Sequence, residues 1–269
     1  EPAFSMPARW IEPADKQRAE LAGCTVVDPT SVLITHLGEI ARRYAHEQLS
    51  REDLQRLIDK VRDSAPTVVD ELIPNVITMG TLHRVLTLLL EEHVPINNLT
   101  RILESLAQHA AGTKDPLELA ERVRQDIGRA ICDRFRDPQG RFHAIVLDPR
   151  LEHYLRQAVK GNVLAIDPGQ IEQLLNRVAN EWRKATLRGQ EVALLADSAI
   201  RRILRHTLAR ALPDLAVIAY QEVPTDMILE PVAILKLEDI VGRHQPAQNN
   251  QTTAANAAAN LPGSIPAAA

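Results

Sequence analysis

The sequence predicts an α+β chain of several subdomains: an N-terminal α/β part, a central helical subdomain, a small C-terminal α/β subdomain and a disordered tail. Three observations predict it. Within Pro66–Leu106, apolar residues recur at helical spacing twice, as Leu82, Val85, Leu86, Leu89 and as Leu99, Ile102, Leu103, Leu106. Pro95 separates the two stripes, because it cannot donate an interior helical hydrogen bond. Between 140 and 240, short β-branched runs alternate with helical patterns, the signature of a small sheet with at least partly parallel pairing. After Asp239 the chain turns to Gln, Asn, Ala and Pro, with too few large apolar residues to offset the entropy of ordering.

Composition narrows the function classes. The 269 residues carry a formal charge of −4, without the basic excess of a general nucleic-acid binder. No apolar run reaches membrane-spanning length; the most apolar patch lies around Leu86–Leu90. Cys24 and Cys132 are far apart and form no metal or redox spacing, which suits a reducing cytosol. The chain opens on GluProAlaPhe, without an initiator methionine, and reads as a fragment.

The elements follow in order. ArgTrpIle at 9–11 is a short strand candidate, and Pro13 opens a helix that Gly23 caps. ThrValVal at 25–27 reads as a buried strand, and Asp28–Pro29 starts a helix through Val32, Leu33, His36, Leu37 and Ile40 to about His46. Ser50 caps the next helix, whose apolar face is Leu54, Leu57, Ile58 and Val61. After the central pair, Asp115–Pro116 starts a helix with Leu119, Val123, Ile127 and Ile131 at steps of four, and the bundle ends near 122. The C-terminal part reads as strands at 140–147, 191–195 and 215–218, with helices after Asp148–Pro149, at 168–186 and through Ile200, Ile203, Leu204 and Leu208. A last segment, Ile228–Leu237, fits an edge strand that tolerates Pro231.

The residues themselves offer little chemistry. No phosphate loop, nucleophile elbow, HExxH or paired CxxC occurs. The sharpest enzyme reading is a hydrolase with Cys24 as nucleophile, His36 as base and Asp28 orienting it. Against it, a cysteine ahead of an apolar strand is more often a small buried hydrophobe. His83 and His93 sit at two ends of one helix, too far apart to share a metal, and no cofactor is implied. Arg201, Arg202 and Arg205 read as a solvated helix face, with a partner surface for an acidic segment as the alternative. Phe4, taken alone, reads as a core phenylalanine.

Several stretches resemble the FlhA family, the large export-gate proteins of flagellar type III secretion. They are GluProAlaPhe at 1–4, GlyCysThrValValAsp at 23–28, ThrHisLeu at 35–37, ValAspGluLeuIlePro at 69–74 and LeuLeuGluGluHisValProIle at 89–96. GlyArgAlaIle at 128–131 and ValIleAlaTyrGlnGluValPro at 217–224 extend the likeness to about residue 236. The resemblance implies that residues 1–22 end an inserted subdomain and 23–45 return to an incomplete first one. Residues 46–122 would be the helical subdomain, 123–240 the C-terminal one and 241–269 the tail. It implies a non-enzymatic docking platform on the cytoplasmic face of the bacterial inner membrane, with the membrane-embedded half upstream. The implied partners are export chaperones loaded with substrates, the export ATPase complex, the export-switch gate protein and further copies in a ring; nucleic acid is not among them. The implied chaperone cleft maps onto Glu1, Phe4, Val27, Val32 and Thr35: the phenylalanine and valines floor a dimple, while Glu1 and Thr35 orient the guest. The homologous gate of a virulence injectisome is the runner-up. Asn97, Asn98 and Thr100 stand where relatives often carry charges, so ring contacts differ here if those charges help subunits meet; Glu1 stands where some relatives carry aspartate, which keeps the charge and lengthens its reach.

Overall fold

In a computed structural model of the chain, the described residues are 7–241. The expected tail from 242 onward, and Glu1 and Phe4, lie outside them. A 3₁₀ turn at Pro13–Asp15 leads into helix α1 (Lys16–Leu21). Gly23, at φ +81°, closes it: the Gly23 N–H donates to the Glu20 carbonyl and the Cys24 N–H to the Ala19 carbonyl, each at 3.0 Å. Helix α2 (Pro29–Arg43) starts as expected, with the Ser31 N–H donating to the Asp28 carboxylate at 2.9 Å. The two N-terminal strands do not form. Residues 9–11 and 25–27 have no strand structure, and Val27 is exposed rather than buried. A strand needs a neighbour to satisfy its backbone groups, and the described strands, all between 141 and 235, pair among themselves.

The helical part comprises α3 (Ala45–Gln48), α4 (Arg51–Ser64), α5 (Pro66–Leu72), α6 (Met79–Glu91), α7 (Leu99–His109), α8 (Pro116–Asp126) and α9 (Gly128–Cys132). Ser50 caps α4 by accepting the Asp53 N–H at 3.1 Å. All eight residues of the two central stripes are buried, so α6 and α7 form the middle of the bundle. α6 packs on α3 and α8, and α7 on α5 and α8. Leu57 departs from its expected place in the core of α4 and is exposed, because Leu54, Ile58 and Val61 already fill the buried stripe. His83 ties α6 to the end of α3 through Nε2 and the Leu49 carbonyl, 2.7 Å apart.

The C-terminal part holds a four-stranded sheet, parallel throughout, in the order Val217–Ala219, Ala193–Ala196, Arg141–Leu147, Ile228–Leu235. Its strands are β1 (Arg141–Leu147), β4 (Ala193–Ala196), β5 (Val217–Ala219) and β6 (Ile228–Leu235). A two-residue ribbon, β2 (Val159–Lys160) with β3 (Val163–Leu164), lies apart from it. The helices α10 (Pro149–Gln157), α11 (Pro168–Leu187) and α12 (Ser198–Ala209) and the short α13 (Glu238–Val241) complete the order. β6 is the expected edge strand and carries Pro231.

The alternation of side chains along the strands shows how the two halves join. Phe142, Ala144, Leu195 and Ile218 pack into the same core as the bundle's Leu86, Leu103 and Val123. Their neighbours Ile145, Leu194 and Val217 point the other way, into a second core with Leu155, Leu174 and Leu204. The bundle therefore covers one face of the sheet and α10–α12 the other, as a parallel sheet requires.

Candidate docking surface and the ionic joint behind it

The residues expected to floor the cleft fall around one helix. Val32 and Thr35, three residues apart on α2, are half-buried on one side of it, and Val27 stands in the extended segment leading into its cap. The rest of α2 carries exposed apolar side chains: Leu33, Ile34 and Leu37 are each more than 60% exposed, and none of its residues is buried. With Ile40, 39% exposed, Leu33, Ile34 and Leu37 make a continuous apolar face along α2. The Arg43–Asp214 ion pair, at 3.8 Å, links this helix to the C-terminal part.

The hydrolase arrangement does not assemble. Asp28 uses one carboxylate oxygen on the Ser31 N–H and the other on the Ser31 hydroxyl at 2.5 Å, which makes it a helix cap. Cys24 is exposed, against the expectation of a buried thiol. Without the strand at 25–27, nothing draws it inward. Cys132 is the buried one. Its thiol is pushed up to about 12, mainly by burial and then by the nearby Glu222. Thiol labelling of the native protein should modify Cys24 quickly and Cys132 only after unfolding. Equal rates would contradict this burial.

The largest departure from the sequence reading lies on α12. Arg201 is completely buried and Arg205 nearly so, instead of facing solvent. The Arg201 guanidinium donates to Glu121 on α8, to Glu92 at the end of α6 (Nη2 to Oε1, 3.0 Å) and to the Val217 carbonyl at 3.2 Å. Arg124, also on α8, makes a forked pair with Glu222 at 2.8 and 3.3 Å and reaches Glu92 at 3.2 Å. Glu222 in turn accepts the Ala219 N–H at 3.0 Å. The joint ties α8 and the end of α6 to the strand β5 and the helix α12 behind it. Burial alone would raise the Glu92 carboxyl, but Arg201 and Arg124 outweigh it and hold the group at about 2. Burial would likewise lower the Arg201 guanidinium, and Glu92 and Glu121 raise it instead. Arg205 donates to the carbonyls of Leu212 and Pro213, at 3.3 and 2.9 Å.

Next to the joint, Gly128 admits the backbone of Glu222. A Cβ on residue 128 would lie 2.1 Å from the Glu222 carbonyl oxygen. The sequence held a signal for this region. Arg201, Leu204, Arg205 and Leu208 share a helical stripe, so the two arginines lie on the apolar face rather than opposite it.

The profile of the FHIPEP family matches residues 1–228. The flagellar biosynthesis protein FlhA of Escherichia coli K12 is 38% identical over 222 residues, 82% of this chain and 32% of its own length. FlhA of Bacillus subtilis is 33% identical over 241 residues, 88% of this chain and 36% of its own. The chain thus spans about a third of the length of these relatives. Among solved structures, the Chlamydia pneumoniae CdsV protein superposes with a TM-score of 0.74 at 28% identity, over 86% of this chain and 67% of that one. The same protein solved as a CdsV and CdsO complex gives 0.71 over 84% and 67%. The nonameric EscV cytosolic domain of a type III secretion system gives 0.68 at 25% identity, over 82% and 67%. Helical and parallel-sheet parts correspond in fold, and the sequence match covers most of the chain: it belongs to the FHIPEP family.

Proposed function

We propose that this chain is the docking part of a flagellar type III protein export gate, which receives chaperone–substrate complexes at the cytoplasmic face of the inner membrane and orders their export without catalysing a reaction. The observations that carry this reading are the family match over residues 1–228 and the position of Val27, Val32 and Thr35 around the start of α2, whose exposed Leu33, Ile34 and Leu37 the rest of the first subdomain would cover. The family membership supports it, and the higher identity to FlhA than to CdsV favours the flagellar branch over the injectisome one. Residues 1–22 and 23–45 belong in this reading to two subdomains completed by upstream chain, 46–122 to the helical subdomain and 123–240 to the C-terminal one.

In this mechanism an apolar side chain of the chaperone fills a dimple lined by Phe4, Val27 and Val32, while Glu1 and Thr35 orient it by hydrogen bonds. Hinge movement between the first two subdomains opens and closes the cleft. Copies of the gate form a ring, a reading the nonameric EscV cytosolic domain supports, which presents many clefts to chaperones, the export ATPase complex and the export-switch protein.

One buried apolar anchor contributes about 1.5–3 kcal/mol, roughly 10- to 100-fold in affinity. Calorimetry of the complete cytosolic region with loaded flagellar chaperones should therefore show saturable binding that Phe4→Ala weakens by about that factor and Thr35→Met by roughly 2- to 10-fold. Normal binding by both variants would show that the site is elsewhere.

A further inference from the structure

A cavity of about 240 Å³ lies between the C-terminal end of α2, the turn after α6 and the short helix α9. Val94, Pro95, Ile131 and Phe135 form its apolar wall. Arg42 and Arg134 stand at its opening with side chains 45% and 38% exposed, and the Arg124–Glu92 pair forms its polar side.

His93 lines this cavity in an unusual way. It closes α6 in the left-handed conformation, φ +58°, where glycine is the ordinary occupant. The His93 N–H donates to the Leu90 carbonyl and the Val94 N–H to the Leu89 carbonyl, each at 2.9 Å, so the backbone geometry is that of a regular helix end. A side chain at this position is strained, and such strain concentrates at ligand clamps. Its imidazole Nδ1 is buried with no hydrogen-bond partner among the described residues. The charged groups around it are Arg42, Arg43, Arg134 and Arg205, with the carboxylates of Glu39 and Asp214. Burial, then Arg205, Arg134 and Arg42, together lower the proton affinity of the ring, against the opposing pull of Asp214. Glu92 is fully engaged by Arg201 and Arg124, so it does not neutralise the opening. Arg42 pairs with its helix neighbour Glu39, which is partly buried, and Arg134 with the exposed Glu191 at 3.6 Å.

The size of the cavity falls below the range of about 300–1,000 Å³ for small-molecule sites, which suits a single side chain. Two guanidinium groups at the entrance select a carboxylate. The apolar wall selects a short aliphatic stem behind it. We propose that the cavity binds a glutamate side chain presented by another polypeptide, with the carboxylate held by Arg42, Arg134 and the His93 imidazole. The site is separate from the α2 docking face and does not depend on it.

The test uses the whole chain and a capped peptide, acetyl-Ala-Glu-Leu-amide, followed by NMR of the His93 ring. Binding should move the His93 titration to higher pH and perturb amides around 93–95, whereas the glutamine counterpart of the peptide should do neither. Arg42→Ala with Arg134→Ala should weaken binding by about tenfold or more. His93→Gly should bind more weakly while its thermal transition stays at or above that of the parent, since glycine suits φ +58°. An unmoved His93 at about 10 mM peptide would overturn the proposal. So would parental affinity in a folded His93→Gly protein. Butyrate binding as tightly as the peptide would overturn the assignment to a polypeptide.

Discussion

Arg201→Met is expected to cost the protein about 3–5 kcal/mol, the largest loss of any single substitution in the joint. The guanidinium serves two carboxylates and a backbone carbonyl from a site with no access to water. Removing it leaves Glu121 without its partner and Glu92 with only Arg124, in surroundings that solvate them poorly. Methionine matches much of the stem, so the loss is electrostatic rather than a cavity effect. Urea unfolding measures it, with Arg202→Met as the control. Arg202 lies one residue away and, among the described residues, bonds only the exposed Asn162 amide at 2.9 Å, so its substitution should stay within about 0.5 kcal/mol. Equal costs for the two would contradict the joint. The same joint sets an acid dependence. Glu92 ordinarily titrates at 4.5 and is held at about 2 in the folded protein. Its contribution is complete above 4.5 and is lost as the pH falls from there toward 2. Arg201→Met should flatten that part of the stability curve.

Gly128→Ala is the second large effect. The added methyl meets the Glu222 backbone from 2.1 to 2.9 Å, and no rotamer change relieves a clash with main chain. One side must shift, either α9 out of the shared core or the turn after β5 out of the joint. Overpacking of this kind costs about 3 kcal/mol, and here it would also lengthen the Arg124–Glu222 pair. Gly38→Ala supplies the contrast. It sits on the exposed face of α2 with nothing within 4 Å of the added methyl, and alanine there should favour the helix by about 0.5–1 kcal/mol. Thermal unfolding of the two variants should shift in opposite directions, and a neutral Gly128→Ala would show that the close approach is not required.

Much of the fold was legible because it rests on local patterns. The stripes of α6 and α7 repeat at helical spacing, and the caps at Asp28, Ser50 and Asp148 announce helix starts through side chains that accept backbone N–H groups. The four strands of the sheet are apolar runs next to turn signals, and Pro231 marked the edge. What was not legible depends on neighbours. ValVal at 26–27 has strand composition, but a strand exists only with a partner, and the described residues provide none near it. Arg201 and Arg205 look like surface residues by type. Arg201 is buried because Glu92, Glu121 and Glu222 arrive from sequence positions 21 to 109 residues away, which no local window contains, and Arg205 is held beside it by the Leu212 and Pro213 carbonyls. Cys132 and Gly128 are buried by the same long-range meeting of α9 with the turn after β5. Of the predicted cleft, Val32 and Thr35 share one side of α2, Val27 precedes its cap, and Glu1 and Phe4 lie outside the described residues.

In the proposed function, α2 and the segment before it receive the chaperone. Hydrogen exchange of the complete cytosolic region, with and without a chaperone carrying its substrate, tests this most directly. Amides from Val27 to Leu37 should exchange more slowly in the complex, while those of the sheet and of α11 stay unchanged. Protection confined to the sheet or to α11, with residues 27–37 unaffected, would contradict the account.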